Sequence, residues 1–226
     1  MNLAHALEAL GRSEEAIAEY RKAIQLEPYN ATTHSNLGEA LVIHGKPEET
    51  LAAWREGIAK AQEMIRTQPR DAGAYNFLAW FLANAADPDL RQPAQAVELA
   101  TKAVELAPKE GAMWNTLGVA RYRNGQWKEA ITALEKSVEL GKRGGASDWL
   151  FLAMAHWQVG NKEEARRWYD KAIEWMEKRK SKNEELLRFR AEAEELLGIP
   201  AKPPGKNGKE TPEKPKAASG RPKPES

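Results

Sequence analysis

The sequence predicts an all-α protein, built as a solenoid of helix-turn-helix units and closed by a C-terminal capping helix. Three observations lead to this fold. A pattern of large, small and turn residues recurs about every 34 residues. Ala, Glu, Lys, Leu and Arg dominate the 226-residue chain, as they do where helices pack on helices. Glycines and prolines fall near the ends of the recurring segments, where they end helices.

The repeat is clearest in two segments, which read Trp114-x-x-Leu117-Gly118 and Trp149-x-x-Leu152-Ala153. Similar segments begin at other points of the chain, and together they define the predicted units. The predicted boundaries are a partial unit at 1–30 and full units at 31–71, 72–110, 111–145 and 146–178. No unit of this size can bury its apolar face alone, so the units are expected to stabilise one another by stacking.

Small and turn residues have a physical role at fixed positions of each unit. Gly38 and Gly118 fall where the first helix of a unit, helix A, must approach helix B closely. Gly45, Gly125 and Gly160 follow helix A, where a residue with positive φ ends the helix. Each unit is therefore predicted to be a tight antiparallel helix pair.

Two units depart from the common length. The unit at 31–71 carries extra residues near its end, and its helix B is predicted to run to about Thr67. The unit at 72–110 carries extra residues at 87–93, which are predicted to form a protruding turn before Pro93 starts helix B. The sequence leaves open whether a further region precedes the partial first unit.

A capping helix is predicted at 181–198. Ser181 and Glu184 fit a capping box, with Asn183 as the alternative N-cap, and Gly198 ends the helix. An apolar stripe is expected to face the array: Leu186, Phe189, Ala193 and Leu196 or Leu197. A charged stripe is expected to face solvent: Glu185, Arg188, Glu192 and Glu195.

The segment at 199–226 differs in composition from the rest of the chain. It holds seven of the thirteen prolines and no aromatic residue, and its net charge is +4. Such a segment has too little apolar surface to fold, so it is predicted to be a disordered tail.

Over residues 1–178 these motifs resemble the tetratricopeptide repeat (TPR) family. The resemblance implies a right-handed superhelix in which helix A of each unit lines a concave, peptide-binding face. The segments from Ala79 to Ala83 and from Trp149 to Trp157 more specifically resemble the TPR tails of planctomycete-type Ser/Thr protein kinases, within the range 79–178. No kinase motif is present in the chain, so the resemblance implies no activity.

The family resemblance also implies which positions of helix A face the groove. A two-carboxylate clamp is not implied, because Ser35, Glu39 and Asn76 stand at its positions. The predicted peptide-binding residues are instead mostly aromatic and amide side chains, which suit an extended peptide with apolar side chains. They are Asn76, Phe77, Trp80, Asn115, Tyr122, Arg123, Phe151, Met154 and Trp157. The alternative is that the aromatic members pack against a neighbouring helix A or the capping helix. Four other tryptophans are assigned to packing between units: Trp54, Trp114, Trp127 and Trp149.

No motif in the sequence points to catalysis, a cofactor or a metal. The four histidines are dispersed without metal-ligand spacing, and no phosphate-binding glycine loop is present. The predicted function is therefore a protein-interaction scaffold or adaptor that binds a peptide or partner protein, and not an enzyme. One alternative is a non-catalytic regulatory segment of an enzyme complex, for example that of a Ser/Thr kinase.

Charge and hydropathy narrow the possible partners. The formal net charge of +1 gives no global field for nucleic acid, so a nucleic-acid-binding helical repeat is the weaker alternative. No apolar run suggests a membrane partner, and the cytoplasm is the default compartment. The chain has no cysteine, so disulfides do not apply. Ligand identity and oligomeric state remain open at this point.

Overall fold

The computed structural model describes residues 3–26, 33, 36–38, 40, 41, 44–85, 91–141, 145–179, 181 and 183–200. The predicted tail after Pro200 and most of the turn at 87–93 lie outside these residues. Ile199, assigned to the tail, is instead partly buried against the apolar core. The described parts of the chain are helical, and the helices with defined ends run in the following order: α1 (Leu3–Ala9), α2 (Ser13–Leu26), α3 (Pro47–Thr67), α4 (Ala72–Asn84), α5 (Pro93–Leu106), α6 (Gly111–Arg123), α7 (Trp127–Leu140), α8 (Ala146–Gln158), α9 (Lys162–Lys178) and α10 (Glu184–Leu197). Residues 33, 36–38, 40 and 41 also have helical backbone.

The helices form antiparallel pairs that stack in chain order. Helices α4, α6 and α8 are the A helices of successive units, and each packs against the B helix that follows it: α5, α7 and α9. Each A helix also packs against the A helix of the next unit, and α5 and α7 pack against the A helix that follows them. This arrangement, in which each unit contacts mainly its neighbours, is that of a helical solenoid.

Glycines shape the units as the sequence predicts. Gly45, Gly125 and Gly160 have φ values of 65°, 76° and 88°, which confirms that each ends an A helix in the left-handed region. At Gly118 an added Cβ would lie 2.5 Å from Cγ of Leu134. The absence of a side chain at this position therefore allows α6 and α7 to approach closely.

Helix ends also agree with the sequence at two positions. Helix α3 continues to Thr67, which confirms the predicted extension of this B helix. Pro93 is the first residue of α5, where its missing N–H and fixed φ are compatible with a helix start.

At α10 the cap is Asn183, whose side chain accepts a hydrogen bond of 2.8 Å from the N–H of Leu186. The predicted alternative is therefore the cap in use, rather than Ser181.

The apolar core has two parts. One part lies around α1, α2 and the start of α3, and includes the fully buried Tyr20. The larger part runs from α3 through α10, and includes Leu134, Phe151 and Phe189, each 0% exposed. Trp54 of α3 contacts Phe81 edge to face, with 5.7 Å between ring centroids.

One tryptophan assigned to packing is more exposed than the sequence predicts. Trp127, the first residue of α7, keeps 37% of its surface exposed. Trp149 is buried, and Trp114 is partly buried.

Candidate functional site

The candidate site is the surface formed by the A helices α4, α6 and α8 where they meet α10. We call this surface the A-helix groove, and define it by Trp80, Asn84, Tyr122, Arg123 and Phe151. Helix α10 packs mainly on α8, as expected of a capping helix. Its side chains also reach α6 and α4, which belong to the two preceding units.

Two contacts join α10 to α4. Nε1 of Trp80 donates a hydrogen bond of 3.1 Å to Oε1 of Glu185. Nη2 of Arg188 donates one of 2.8 Å to the backbone oxygen of Asn84. Asn84 is the last residue of α4, and a cation next to a helix C-terminus is favourable. A helix that only continued the stack would reach the preceding unit alone, so these contacts place α10 across the groove.

An ion pair joins α10 to α6. Nη1 of Arg123 lies 2.7 Å from Oε2 of Glu192. The Arg123 side chain is only 12% exposed, and its guanidinium carbon lies 5.1 Å from the centroid of the Phe151 ring and 6.0 Å from that of Phe189. The cation is therefore held between an acidic partner and two aromatic rings, an arrangement in which both contacts are attractive.

Aromatic rings form the centre of the contact. The rings of Phe151 and Phe189 lie 4.8 Å apart at an angle of 70°, and Trp80 also meets Phe189 edge to face at 6.2 Å. Tyr122 contacts the other side of Phe151, with 5.4 Å between centroids. Burial raises the pKa of the Tyr122 hydroxyl, so this group is neutral at physiological pH. Edge-to-face pairs of this kind stabilise packing beyond the area that they bury.

The charged side of α10 differs from the prediction. Glu185, Arg188 and Glu192 were expected to face solvent, and instead they contact Trp80, Asn84 and Arg123. Glu195 is exposed, as expected. The difference arises because α10 is enclosed on more than one side. A helix lying across several A helices buries a wider arc than the single apolar stripe seen in the sequence.

A third acidic residue of α10, Glu194, contacts α9. The hydroxyl of Tyr169 donates a hydrogen bond of 2.7 Å to Oε1 of Glu194, and Nε of Arg190 donates another of 2.7 Å to the same oxygen. Burial and the Glu194 carboxylate raise the pKa of Tyr169 to about 12. This cluster fixes the C-terminal half of α10 against the array.

The predicted peptide-binding residues separate into two groups. Trp80, Tyr122, Arg123 and Phe151 come together in the A-helix groove, in contact with α10 or with one another. The other five do not join them. Phe77 and Met154 are buried at 7% and 1% exposure. Asn115 donates a hydrogen bond of 2.8 Å to Asp148 of α8.

The remaining two residues lie apart from α10 in the contacts that the structure records. Trp157 is partly buried, and Nζ of Lys162 lies 5.1 Å from its ring centroid. Asn76 is partly buried, and its Oδ1 has no hydrogen-bond partner among the described residues.

Two of the groove contacts, made by Glu185 and Glu192, were missed by sequence reasoning. Asn84 stands at the same repeat position as Arg123, one unit earlier, so the family resemblance places it on the groove side, although it was not among the predicted binding residues. Glu185, Phe189 and Glu192 are spaced so that they share one face of α10, although the sequence analysis assigned Phe189 to the array side and the two glutamates to solvent. Nothing in that spacing indicated that this face meets three A helices.

Within the described parts of the chain, no group of three or more acidic or histidine side chains is placed to hold a metal ion. In the same residues, no helix combines the length and the apolar character needed to cross a membrane.

The fold and the groove define a class of protein, the helical-repeat solenoid with a groove along its A helices. Family models described as TPR repeat and as tetratricopeptide repeat match residues 4–45 and 110–178, respectively. These two parts of the chain are therefore similar to tetratricopeptide repeats. These matches support a protein–protein interaction scaffold. The finer resemblance to kinase tails is not reflected in them.

Solved structures of TPR proteins are similar to this chain. One is a thermophilic TPR protein, TTC0263 of Thermus thermophilus, with a TM-score of 0.58, 20% identity, and coverage of 84% of this chain and 95% of that one. MamA from residue 41 onward, of Desulfovibrio magneticus, has a TM-score of 0.49, 18% identity and coverage of 80% and 94%. YrrB, described as a TPR protein with an unusual peptide-binding site, has a TM-score of 0.48, 22% identity and coverage of 84% and 89%. The likeness to TTC0263 shows the fold. A search of curated proteins finds no match.

Proposed function

We propose that this chain is a protein-interaction scaffold whose A-helix groove binds a peptide segment of a partner protein. The observation that supports it most directly is α10 itself. A helix lies across α4, α6 and α8 and forms a hydrogen bond, an ion pair and aromatic contacts with Trp80, Arg123 and Phe151. The groove therefore has the shape and chemistry to accept a polypeptide segment, which is the property that a scaffold requires.

Four of the predicted residues are proposed as contact residues for the partner: Trp80, Tyr122, Arg123 and Phe151. Phe77 and Met154 are buried in the core cluster, so they are not proposed as contact residues. Asn115 is engaged with Asp148, so it is proposed to hold α6 against α8 rather than to bind a peptide backbone. The aromatic and arginine side chains of the groove belong to the types that dominate binding energy at protein interfaces.

The test compares capture of partners from a bacterial lysate by the full chain and by variants. Because α10 occupies the groove, a Phe189→Ala, Glu192→Ala variant is expected to capture more of a partner than the wild type does. Adding Trp80→Ala to this variant is expected to remove the gain. Trp127→Ala is the matched control, since Trp127 is a partly exposed tryptophan on a B helix, outside the groove.

Circular dichroism must first show that each variant is folded. Partners captured equally well with and without Trp80 would contradict binding in the A-helix groove. A loss with Trp127→Ala alone would instead locate binding on the B-helix side of the array.

A further inference from the structure

Three side chains of α10 meet the groove from one face of the helix. Glu185, Phe189 and Glu192 stand at positions i, i+4 and i+7, which lie one above another on an α-helix. Glu185 accepts a hydrogen bond from Trp80, and Glu192 pairs with Arg123. Phe189, which is 0% exposed, lies between them against Phe151. The groove therefore contacts an acidic, an aromatic and a second acidic side chain at fixed helical spacing.

The groove also has polar atoms that α10 does not satisfy. Nε and Nη2 of Arg123 are buried without a hydrogen-bond partner in the part of the chain that the structure describes, and so are both amide atoms of Asn84. A buried polar group without a partner destabilises the packing around it. Helix α10 is thus a partial match to the groove, and another helix with a polar side chain near these atoms could match it better.

Helix α10 brings unfavourable features of its own to the contact. Burial raises the pKa of Glu185, which means that its ionised form is less stable here than in water. Nε of Arg188 is buried without a partner among the described residues. The helix has 14 residues, a length that is marginal for an isolated helix in water, so α10 depends on the groove for its structure. Five residues separate it from α9, so leaving the groove requires α10 to break its contact with Tyr169 of α9 but not to unwind α9.

We propose that the A-helix groove is a docking site for an acidic amphipathic helix of a partner protein, with Glu, Phe and Glu at positions i, i+4 and i+7, which binds in exchange for α10. This inference rests on the proposed function and names the chemistry of its ligand. Exchange is required because α10 covers Phe151 and other apolar residues of α8, so departure of α10 without a replacement would expose them to water. The acidic residues of the partner pair with Arg123 and Trp80, and its phenylalanine replaces Phe189.

The test uses the full chain and two labelled synthetic peptides. The first peptide has the sequence of residues 183–200. The second is an alanine–glutamine helix that carries only Glu, Phe and Glu at the same spacing. Binding is measured by fluorescence anisotropy against the wild type and against a Phe189→Ala variant, in which the competing helix is weakened. Glu195→Ala is the control variant, since Glu195 is an exposed residue of α10.

Both peptides are expected to bind the Phe189→Ala chain about tenfold more tightly than the wild type, because the apparent affinity rises with the fraction of chains whose groove is open. The Glu195→Ala chain is expected to match the wild type. If Phe189→Ala prevents folding, Glu192→Ala replaces it, with a gain of about threefold expected from the milder loss. Peptides with the phenylalanine replaced by alanine, or with the second glutamate moved by two positions, are expected not to bind.

A charge exchange locates the contact. Arg123→Glu in the Phe189→Ala chain is expected to abolish binding, and a peptide with Arg at the second glutamate position is expected to restore it. Failure of both peptides to bind any folded variant would overturn the proposal, and would make α10 a permanent part of the array. Light scattering tests whether a second copy of the chain is the occupant instead. If Phe189→Ala chains dimerise and the dimer excludes the peptide, the proposal is also overturned. If the peptides fail but partner capture still depends on Trp80, only the ligand chemistry is wrong and the proposed function stands.

Discussion

Arg123 and Glu192 form an ion pair of 2.7 Å that joins the last residue of α6 to the middle of α10. The pair lies beside Phe151 and Phe189, and its arginine is largely buried. It therefore sets the position of α10 across the A-helix groove. The exposed i,i+3 and i,i+4 ion pairs elsewhere join residues that are close in sequence and do not connect two helices.

The Arg123–Glu192 pair is expected to be strongly coupled. In a double-mutant cycle with Arg123→Met and Glu192→Gln, we expect a coupling energy of about 1–3 kcal/mol from urea unfolding, because the pair is partly desolvated and fixed by packing. The exposed pair Arg166–Asp170, at 3.0 Å, is the control, with less than about 0.5 kcal/mol expected. Equal coupling in the two cycles would show that Arg123 does not hold α10.

Gly118→Ala is expected to destabilise the array. The new Cβ would lie 2.5 Å from Cγ of Leu134 and 3.1 Å from its backbone nitrogen, so α6 and α7 would have to separate. Overpacking of this kind costs about 1–3 kcal/mol, measured as a loss in the free energy of unfolding. Gly73→Ala is the control, because its Cβ would approach only the side-chain oxygen of Asp71, at 3.1 Å. A loss at Gly73 as large as that at Gly118 would contradict the close approach of the two helices.

Tyr169 is expected to make stability depend on pH in the alkaline range. Its pKa rises from 10.0 in the unfolded chain to about 12 in the fold, so the folded state holds the phenolic proton more tightly. Its contribution is complete below pH 10 and is lost as the pH rises through 12. The difference in unfolding free energy between wild type and Tyr169→Phe is therefore expected to shrink from about pH 9 to about pH 12. A constant difference would mean that Tyr169 does not donate to Glu194.

Trp114→Ala is expected to cost roughly 3–5 kcal/mol in the free energy of unfolding. Trp114 is partly buried, and its Nε1 donates a hydrogen bond of 2.8 Å to the backbone oxygen of Pro108 in the preceding unit. Trp127→Ala is expected to cost less than about 1 kcal/mol, because the ring is partly exposed. Thermal melts of the two variants give the comparison, and similar losses would contradict the packing role of Trp114.

The features that could be predicted from the sequence are those set by local chemistry. Gly125 and Gly160 end helices because their positive φ suits glycine, and Thr67 ends α3 because the helical pattern continues to that point. Pro93 begins α5 because its fixed φ and missing N–H are compatible with a helix start.

The groove contacts could not be predicted, because they depend on how distant helices meet. Trp80 and Glu185 are 105 residues apart in the chain, and no periodicity relates them. Glu185 and Glu192 were assigned to solvent because charged side chains on one helix face are usually solvated. Their partners on α4 and α6 become visible only once α10 is seen to lie across both helices.

The most direct test of exchange at the A-helix groove is amide hydrogen exchange of α10 in the full chain. The wild type is measured alone and with saturating peptide of residues 183–200, while α4, α6 and α8 serve as internal references. We expect amides of α10 to exchange faster when the peptide is present, and those of the reference helices to stay protected, because the peptide replaces α10 in the groove. Unchanged protection of α10 with bound peptide would contradict exchange and would place the peptide elsewhere on the array.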